Sequence, residues 1–195
     1  MLKNWLTPLI VGGLVLAAIL LWDTPPQNLL GEDPADAAPS SYPANIAYNL
    51  SDRHFDEAGA LHSEFSASES RYFQMHPKRR TPDDYAELTE PRLTLYSDNK
   101  PPWHLSAKEG TARENGQWIE LRGDVRIWQV TATGERSELT TTRLVVKPGQ
   151  QYAETDKAVK LSAPGNTTEA VGMQAMLQQD LIKLLSRVRG RHEIQ

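Results

Sequence analysis

Pro101–Ile127 reads PPWHLSAKEGTARENGQWIELRGDVRI, and its spacing decides the fold class. Trp103, Leu105 and Ala107 fall on one parity. Beyond Asn115-Gly116, the residues Ile119, Leu121, Val125 and Ile127 continue the odd positions, with Gly123 between them. Side chains of a strand alternate between its faces, so each run predicts a ribbon with one apolar and one solvated face. Asn-Gly between two such runs is a hairpin signal, because both residues accept positive φ. The same unit, alternating runs around a turn with a Val-x-apolar close, returns at Thr140–Leu161 and more faintly at Ala170–Val188. Strand pairs repeated at this length imply stacked β ribbons sharing one core.

Towards the N-terminus, Ile46, Tyr48 and Leu50 alternate with Ala47, Asn49 and Ser51. After a turn at Asp56-Glu57-Ala58-Gly59, Leu61, Phe65 and Ala67 take one parity, while His62, Glu64, Ser66 and Ser68 take the other. Gln74–Glu87 reads as a loop whose Lys78-Arg79-Arg80 run is a solvated tip. Leu93 and Leu95 then precede a turn at Asp98-Asn99-Lys100-Pro101-Pro102. Towards the C-terminus, Thr133-Gly134 makes a turn, and Leu144 and Val146 lead into Pro148-Gly149. Val159 and Leu161 form a short strand ending at Pro164-Gly165-Asn166. Turns this frequent predict an all-β sandwich or barrel-like domain. The last stretch is ambiguous by spacing alone. Met173, Met176, Leu177, Leu181, Leu184, Leu185 and Val188 fit a helix. A turn at Gln179-Asp180 instead puts Ile182, Leu184 and Val188 on one strand face. The internal repeat favours strand.

Ahead of this domain, Trp5–Trp22 (WLTPLIVGGLVLAAILLW) carries no charge. At helical rise it reaches about 27 Å, the hydrocarbon thickness of a bilayer. Pro8 sits in the first turn, where its missing N–H has no intrahelical acceptor, and Trp5 and Trp22 stand where aromatic rings prefer the headgroup level. The run exceeds the apolar core of a signal peptide, and the only small-x-small triplet nearby, Ala35-Asp36-Ala37, lies far beyond its end. We read residues 5–22 as an uncleaved transmembrane helix. Lys3 before it and Asp23, Glu32, Asp33 and Asp36 after it place residues 1–4 in the cytoplasm. Residues 23–45, with Pro25, Pro26, Pro34, Pro39 and Pro43, read as an extended linker. Residues 46–195 are then one domain across the membrane. Gly13 and Ala17 form a small-xxx-small pair that admits a second helix, although such pairs are common in membrane helices.

Composition narrows the chemistry. A formal net charge of −4 argues against a nucleic-acid partner, and the absence of cysteine means that an exported domain does without disulfides. Ser97-Asp98-Asn99-Lys100 contains S-x-x-K and S-D-N strings, but they overlap, no K-T-G follows, and the run reads as a turn. Asp52, His54 and Asp56 share one strand face without a fourth ligand, so no metal centre is expected. With no nucleophile elbow, phosphate loop or histidine cluster, we expect no catalytic residue and no cofactor.

Four segments together carry a family resemblance: P-x-W-x-L-x-A at Pro101–Ala107, I-x-L-x-G-x-V-x-I at Ile119–Ile127, T-x-x-L-x-V at Thr141–Val146 and V-R-x-x-x-E-I-Q at Val188–Gln195. With the single N-terminal membrane helix, their order and spacing resemble the LptC family of lipopolysaccharide export proteins over essentially the whole chain. The resemblance implies an open β-jellyroll, a slit between two antiparallel sheets, in an inner-membrane protein whose domain is periplasmic. It also implies that lipopolysaccharide is received from an LptB–LptF–LptG transporter and passed to an LptA-like bridge protein. The implied transporter-side edge is Ile46, Tyr48 and Leu50, and the LptA-side edge runs from Ile182 through Leu184 and Val188 to His192. One departure is Ala163-Pro164, where family members commonly carry a glycine just after the strand matching Val159–Leu161.

A lipid carrier has a physical requirement of its own. Each acyl CH₂ exposed to water costs about 0.8 kcal/mol, so the protein must offer an apolar lining not already filled by its own side chains. Parity nominates Leu50, Leu61, Phe65, Leu93, Leu95, Leu105, Ile119, Leu121, Val125, Ile127, Val146 and Leu161 as lining. Each reads equally as an ordinary packed core residue. Leu88 joins the set with Leu93 and Leu95 around Pro91, and these three are expected nearest a rim, because proline belongs at strand edges. Arg187, Arg189 and Arg191 alternate along the last strand as edge gatekeepers or as charges matched to a partner. The alternative function is a tethered adaptor that docks envelope proteins by strand addition and binds no lipid.

Overall fold

The alternating runs become eleven strands, all paired antiparallel, in a computed structural model that describes residues 42–76, 79–97 and 100–192. They are β1 (Asn45–Phe55), β2 (Leu61–Phe73), β3 (Tyr85–Thr89), β4 (Arg92–Ser97), β5 (Lys100–Ser106), β6 (Glu109–Arg113), β7 (Trp118–Val130), β8 (Arg136–Lys147), β9 (Tyr152–Ala163), β10 (Asn166–Met176) and β11 (Leu181–His192). Short 3-10 turns at Glu114–Gly116, Pro148–Gln150 and Leu177–Gln179 join β6 to β7, β8 to β9 and β10 to β11. The expected membrane helix, with Gly13 and Ala17, lies outside the described residues. Among the described residues no helix is long and apolar enough to cross a membrane.

The expected two sheets are two halves of one hydrogen-bonded sheet folded along a crease. The first half of β2 pairs with β4 and its second half with β3, whereas β7 pairs first with β6 and then with β5. β4 with β5 therefore bridges β2 to β7 in an upper layer, and β3 with β6 bridges them in a lower one. The long strands cross from layer to layer, and the crossings are marked in the backbone. Register shifts fall between Arg122 and Val125 in β7, Thr141 and Val145 in β8, and Val171 and Met173 in β10. Left-handed φ values accompany the line at Asn49 (53°), Glu90 (50°), Gly123 (73°), Asp124 (47°), Gly172 (79°) and Arg187 (51°). A bulge bends its strand sharply, and a row of them folds the sheet.

The faces turned towards each other form one apolar cluster. Leu95, Trp103, Leu105, Val125, Ile127 and Leu139 come from the upper layer, and Leu88, Ile119, Leu121, Leu144, Val146, Met173 and Leu177 from the lower. The C-terminal stretch is strand, as the repeat favoured. Four expectations need correction. Ile46, Tyr48 and Leu50 do not share a face: the left-handed Asn49 reverses the parity, so Ile46 and Tyr48 are exposed while Ala47 and Leu50 are half-buried. Leu88 and Leu95 are not at a rim. They are buried beside Pro91, itself fully buried where the chain passes between layers, its ring against Gly110. β3 begins inside the stretch read as a loop, at Tyr85. β5 begins at Lys100, so Pro101 and Pro102 belong to a strand rather than a turn.

The shortened loop before β3 is held by one carboxylate. Asp84 accepts hydrogen bonds from the Met75 amide (2.9 Å), the Thr81 amide (3.0 Å) and hydroxyl (2.9 Å), and the Tyr72 phenol (2.7 Å). Burial by itself raises its pKa, but these donors outweigh it and bring the group from 3.8 down to about 2. Because the folded value lies below the unfolded one, the carboxylate stabilises the fold above about pH 3.8 and loses that contribution as pH falls through about 2. Asp84→Ala is expected to cost about 1–3 kcal/mol in urea denaturation at pH 7, with the difference shrinking towards pH 2. A cost independent of pH would refute the clasp.

Candidate functional site

Folding along a crease leaves a mouth where the far ends of the two layers face each other. The upper layer ends in the β1–β2, β7–β8 and β9–β10 turns and at Ser97 and Lys100, the ends of β4 and β5, and the lower layer ends in the three 3-10 turns. At one end of the mouth the layers stand apart around a cavity of about 700 Å³. Phe65 and Leu93 line it from the upper layer and Trp118 and Ile119 from the lower, with His54, His62 and Lys147 among its polar residues. The volume falls within the roughly 300–1,000 Å³ of ligand clefts, and an apolar floor with a polar rim suits an amphiphile. A second hollow of about 700 Å³ lies at the crease, lined by charged residues including Arg126, Lys160, Glu169 and Arg187 and by the buried Val125, Val159 and Ala170. Glu169 there faces Lys160 on one neighbouring strand and Arg189 on the other, and with Asp124 it stands against Arg126, Lys160, Arg187 and Arg189, so the hollow carries a basic excess.

At the other end of the mouth the layers are bonded together. Gln151, only 3% exposed, donates to the Tyr96 carbonyl (2.8 Å) and accepts from the Ser97 hydroxyl (2.8 Å). Its own carbonyl accepts from the Leu177 amide at 2.8 Å, tying together the turns after β8 and β10. Asp180 accepts from the Trp103 indole at 3.1 Å and pairs with the Lys100 ammonium at 2.8 Å, and that ammonium also donates to the Gln178 carbonyl at 2.9 Å. Burial would raise the Asp180 carboxyl's pKa, but the Lys100, Trp103 and Gln129 donors hold it below the ordinary value. Ser97 of the S-x-x-K string thus bonds across the mouth. Asp56 is occupied in its turn by the Ala58 (2.9 Å) and Ala60 (2.8 Å) amides.

Of the residues nominated as lining, Phe65, Leu93 and Ile119 reach the cavity wall. Leu88, Leu95, Leu105, Leu121, Val125, Ile127 and Val146 pack in the buried cluster, as do Leu93 and Ile119 at their inner sides. Leu50, Leu61 and Leu161 are half-buried. Among the described residues, the nominated edges sit on β1, which pairs only with β2, and on β11, which pairs only with β10. Large exposed apolar side chains concentrate on these two strands: Ile46 (43%), Tyr48 (68%) and Phe55 (52%) on β1, and Leu181 (47%), Leu185 (48%) and Val188 (53%) on β11. Ile182 and Leu184 instead pack against the core, and His192 bonds Asn166 at 2.7 Å. Sequence reasoning missed Leu139, Trp118, Lys147, Gln151 and Asp180. The last two follow turn residues and carry no sign that they reach across a mouth.

A family model for LptC, described as lipopolysaccharide-assembly, LptC-related, matches residues 9–193. No curated protein sequence matches the chain. Among solved structures, the chain is similar to the crystal structure of LptH, the LptA-homologous periplasmic component of the conserved lipopolysaccharide transport device from Pseudomonas aeruginosa. The TM-score is 0.50 at 11% identity, over 68% of this chain and 95% of that one. At this identity the likeness is one of fold, and it supports the jellyroll reading of the creased sheet.

Proposed function

The chain belongs to the LptC family, and from that premise we propose that it is an inner-membrane-anchored carrier that holds lipopolysaccharide acyl chains between its two layers. On this reading residues 5–22 anchor it, the domain stands in the periplasm, and cargo passes from an LptB–LptF–LptG transporter to an LptA-like bridge protein. The observation that carries the proposal is the cavity between the layers, walled on both sides by apolar residues and reached from solvent. The two single-neighbour strands with exposed apolar residues support docking at both flanks by strand addition. Energy for transport comes from the partner transporter, and no catalytic step is assigned to this chain.

Much of the nominated interior is already packed, and exposed apolar residues gather at the edges instead. That observation favours the second reading, an adaptor that never touches lipid. One experiment separates the two. Purified protein is mixed with lipopolysaccharide bearing an environment-sensitive acyl-chain probe. The carrier reading expects the probe to be shielded and Phe65→Glu, at a half-buried position, to weaken binding at least tenfold with the circular dichroism unchanged. That loss corresponds to at least about 1.4 kcal/mol. No shielding by the unaltered protein would leave the adaptor.

A further inference from the structure

The mouth between the layers is not uniform along its length. Around the turns after β8 and β10 it is held by Gln151 on Tyr96 and Ser97, and by Asp180 with Lys100 and Trp103. Gln129 reinforces this stretch, donating to the Pro101 carbonyl at 2.9 Å with its amide 3.5 Å from Asp180. Between the β1–β2 hairpin and the turn joining β6 to β7 the arrangement differs. Among the described residues, no side-chain hydrogen bond joins residues 52–62 to residues 114–117, and the cavity of about 700 Å³ opens there.

We propose that an acyl-chain lipid enters through this open stretch, between the β1–β2 hairpin and the Glu114–Gln117 turn, while the Gln151 and Asp180 bonds act as a latch that keeps the rest of the mouth shut. The inference rests on the carrier reading above and adds a port and a direction to it. The chemistry fits each part. The floor of the port is Phe65, Leu93, Trp118 and Ile119, suited to hydrocarbon, and its polar residues are His54, His62 and Lys147 together with the carboxylates Asp52 and Glu114, which offer both donors and acceptors to the polar head of an amphiphile. The latch is polar throughout, and Gln151 is buried with both ends of its amide bonded, so opening it leaves polar groups that a bare acyl chain cannot satisfy. Hydrocarbon therefore meets the lower barrier at the port. Further travel along the slit requires the latch to be released or its bonds to be replaced by a hydroxyl-rich head.

The chain contains no cysteine, so introduced pairs are unique. In the full-length protein, Glu57→Cys in the β1–β2 turn with Gln117→Cys is bridged across the port by a flexible, reducible bis-maleimide. Ala132→Cys with Gln179→Cys, two positions outside the latch bonds, is bridged in the same way across the latched stretch. All four positions are exposed, and unbridged double variants checked by circular dichroism control for folding. With probe-labelled lipopolysaccharide, the port bridge is expected to slow loading at least tenfold, with recovery on reduction, while the latch bridge leaves initial loading unchanged. Unchanged loading through a bridged port, or a block by the latch bridge alone, overturns the port while leaving the carrier reading intact. No loading by the unbridged protein sinks the carrier reading and the port with it.

Discussion

Gly172→Ala is expected to destabilise the domain by about 2–5 kcal/mol, whereas Gly134→Ala costs only about 1–2. Both glycines are left-handed, at φ 79° and 85°, so both substitutions carry the same backbone penalty. They differ in surroundings. Nothing lies within 4 Å of a Cβ built at Gly134, in an exposed turn, while one built at Gly172 would stand 3.0 Å from Leu185 Cδ1 and 3.2 Å from Leu185 Cβ. Gly172 sits where β10 crosses the crease, at the register shift between Val171 and Met173, and Leu185 of β11 lies directly over it. The added methyl must push β11 away or be pushed by it. Adding Leu185→Ala to Gly172→Ala removes the 3.0 Å contact with Cδ1 but keeps the 3.2 Å contact with Cβ, so the double variant should recover part of the packing loss and fall between Gly172→Ala and Gly134→Ala. Leu185 is half exposed and contributes little burial of its own. Chemical denaturation of the variants measures this cycle. Equal costs at the two glycines, or no recovery in the double variant, would show that the close approach at the crease is not what excludes a side chain.

The crease also explains which parts of the fold were legible. In β7 the apolar parity runs unbroken from Ile119 and Leu121 to Val125 and Ile127, and Gly123 advertises the bend. There the pattern predicts strand, face and core together. In β8 the buried residues are Leu139 and Thr141 before the bend and Leu144 and Val146 after it, so the parity flips across Thr142-Arg143. No glycine marks the flip, and Leu139 is lost to a reading that follows one parity. The same happens at Asn49, whose left-handed turn sends Ile46 and Tyr48 outward. A bulge without glycine leaves no local trace, because the strain is borne by cross-strand pairing that a single sequence does not display. The latch is hidden for a related reason. Gln151 and Asp180 are left-handed residues at φ 46° and 52°, ordinary in turns, and their importance comes from what stands across the mouth some 50 to 80 positions away in sequence. The candidate lining was legible as a face but not as a cavity. Parity separates inside from outside, and only the tilt of the layers separates packed interior from open mouth.

Leu181→Lys combined with Val188→Lys is expected to weaken association with an LptA-like jellyroll by about tenfold to a hundredfold while leaving the melting temperature within a few degrees. The second half of this expectation follows from exposure: both side chains are about half open to solvent on a strand with one neighbour, so little of the domain's own packing is at stake. The first half follows from the proposed docking mode. A strand added to β11 would satisfy its unpaired amides and carbonyls and cover the exposed apolar side chains on that edge. Covering two such residues in part contributes about 1–3 kcal/mol, and lysine at these positions is a recognised way of blocking edge pairing. Arg187, Arg189 and Arg191 already place positive charge on the strand, so a partner that docks there must supply acidic or hydroxyl-rich positions opposite them. Two more lysines raise that requirement without altering register. Ile46→Lys with Tyr48→Lys on β1 is the matched control, similarly exposed but on the opposite edge, and it should spare the LptA-like complex while weakening contact on the transporter side. Titration calorimetry against a purified LptA-like jellyroll distinguishes the edges. Equal losses from both pairs would mean that added surface charge alone disrupts the complex, and no loss from either would remove β11 as the docking strand.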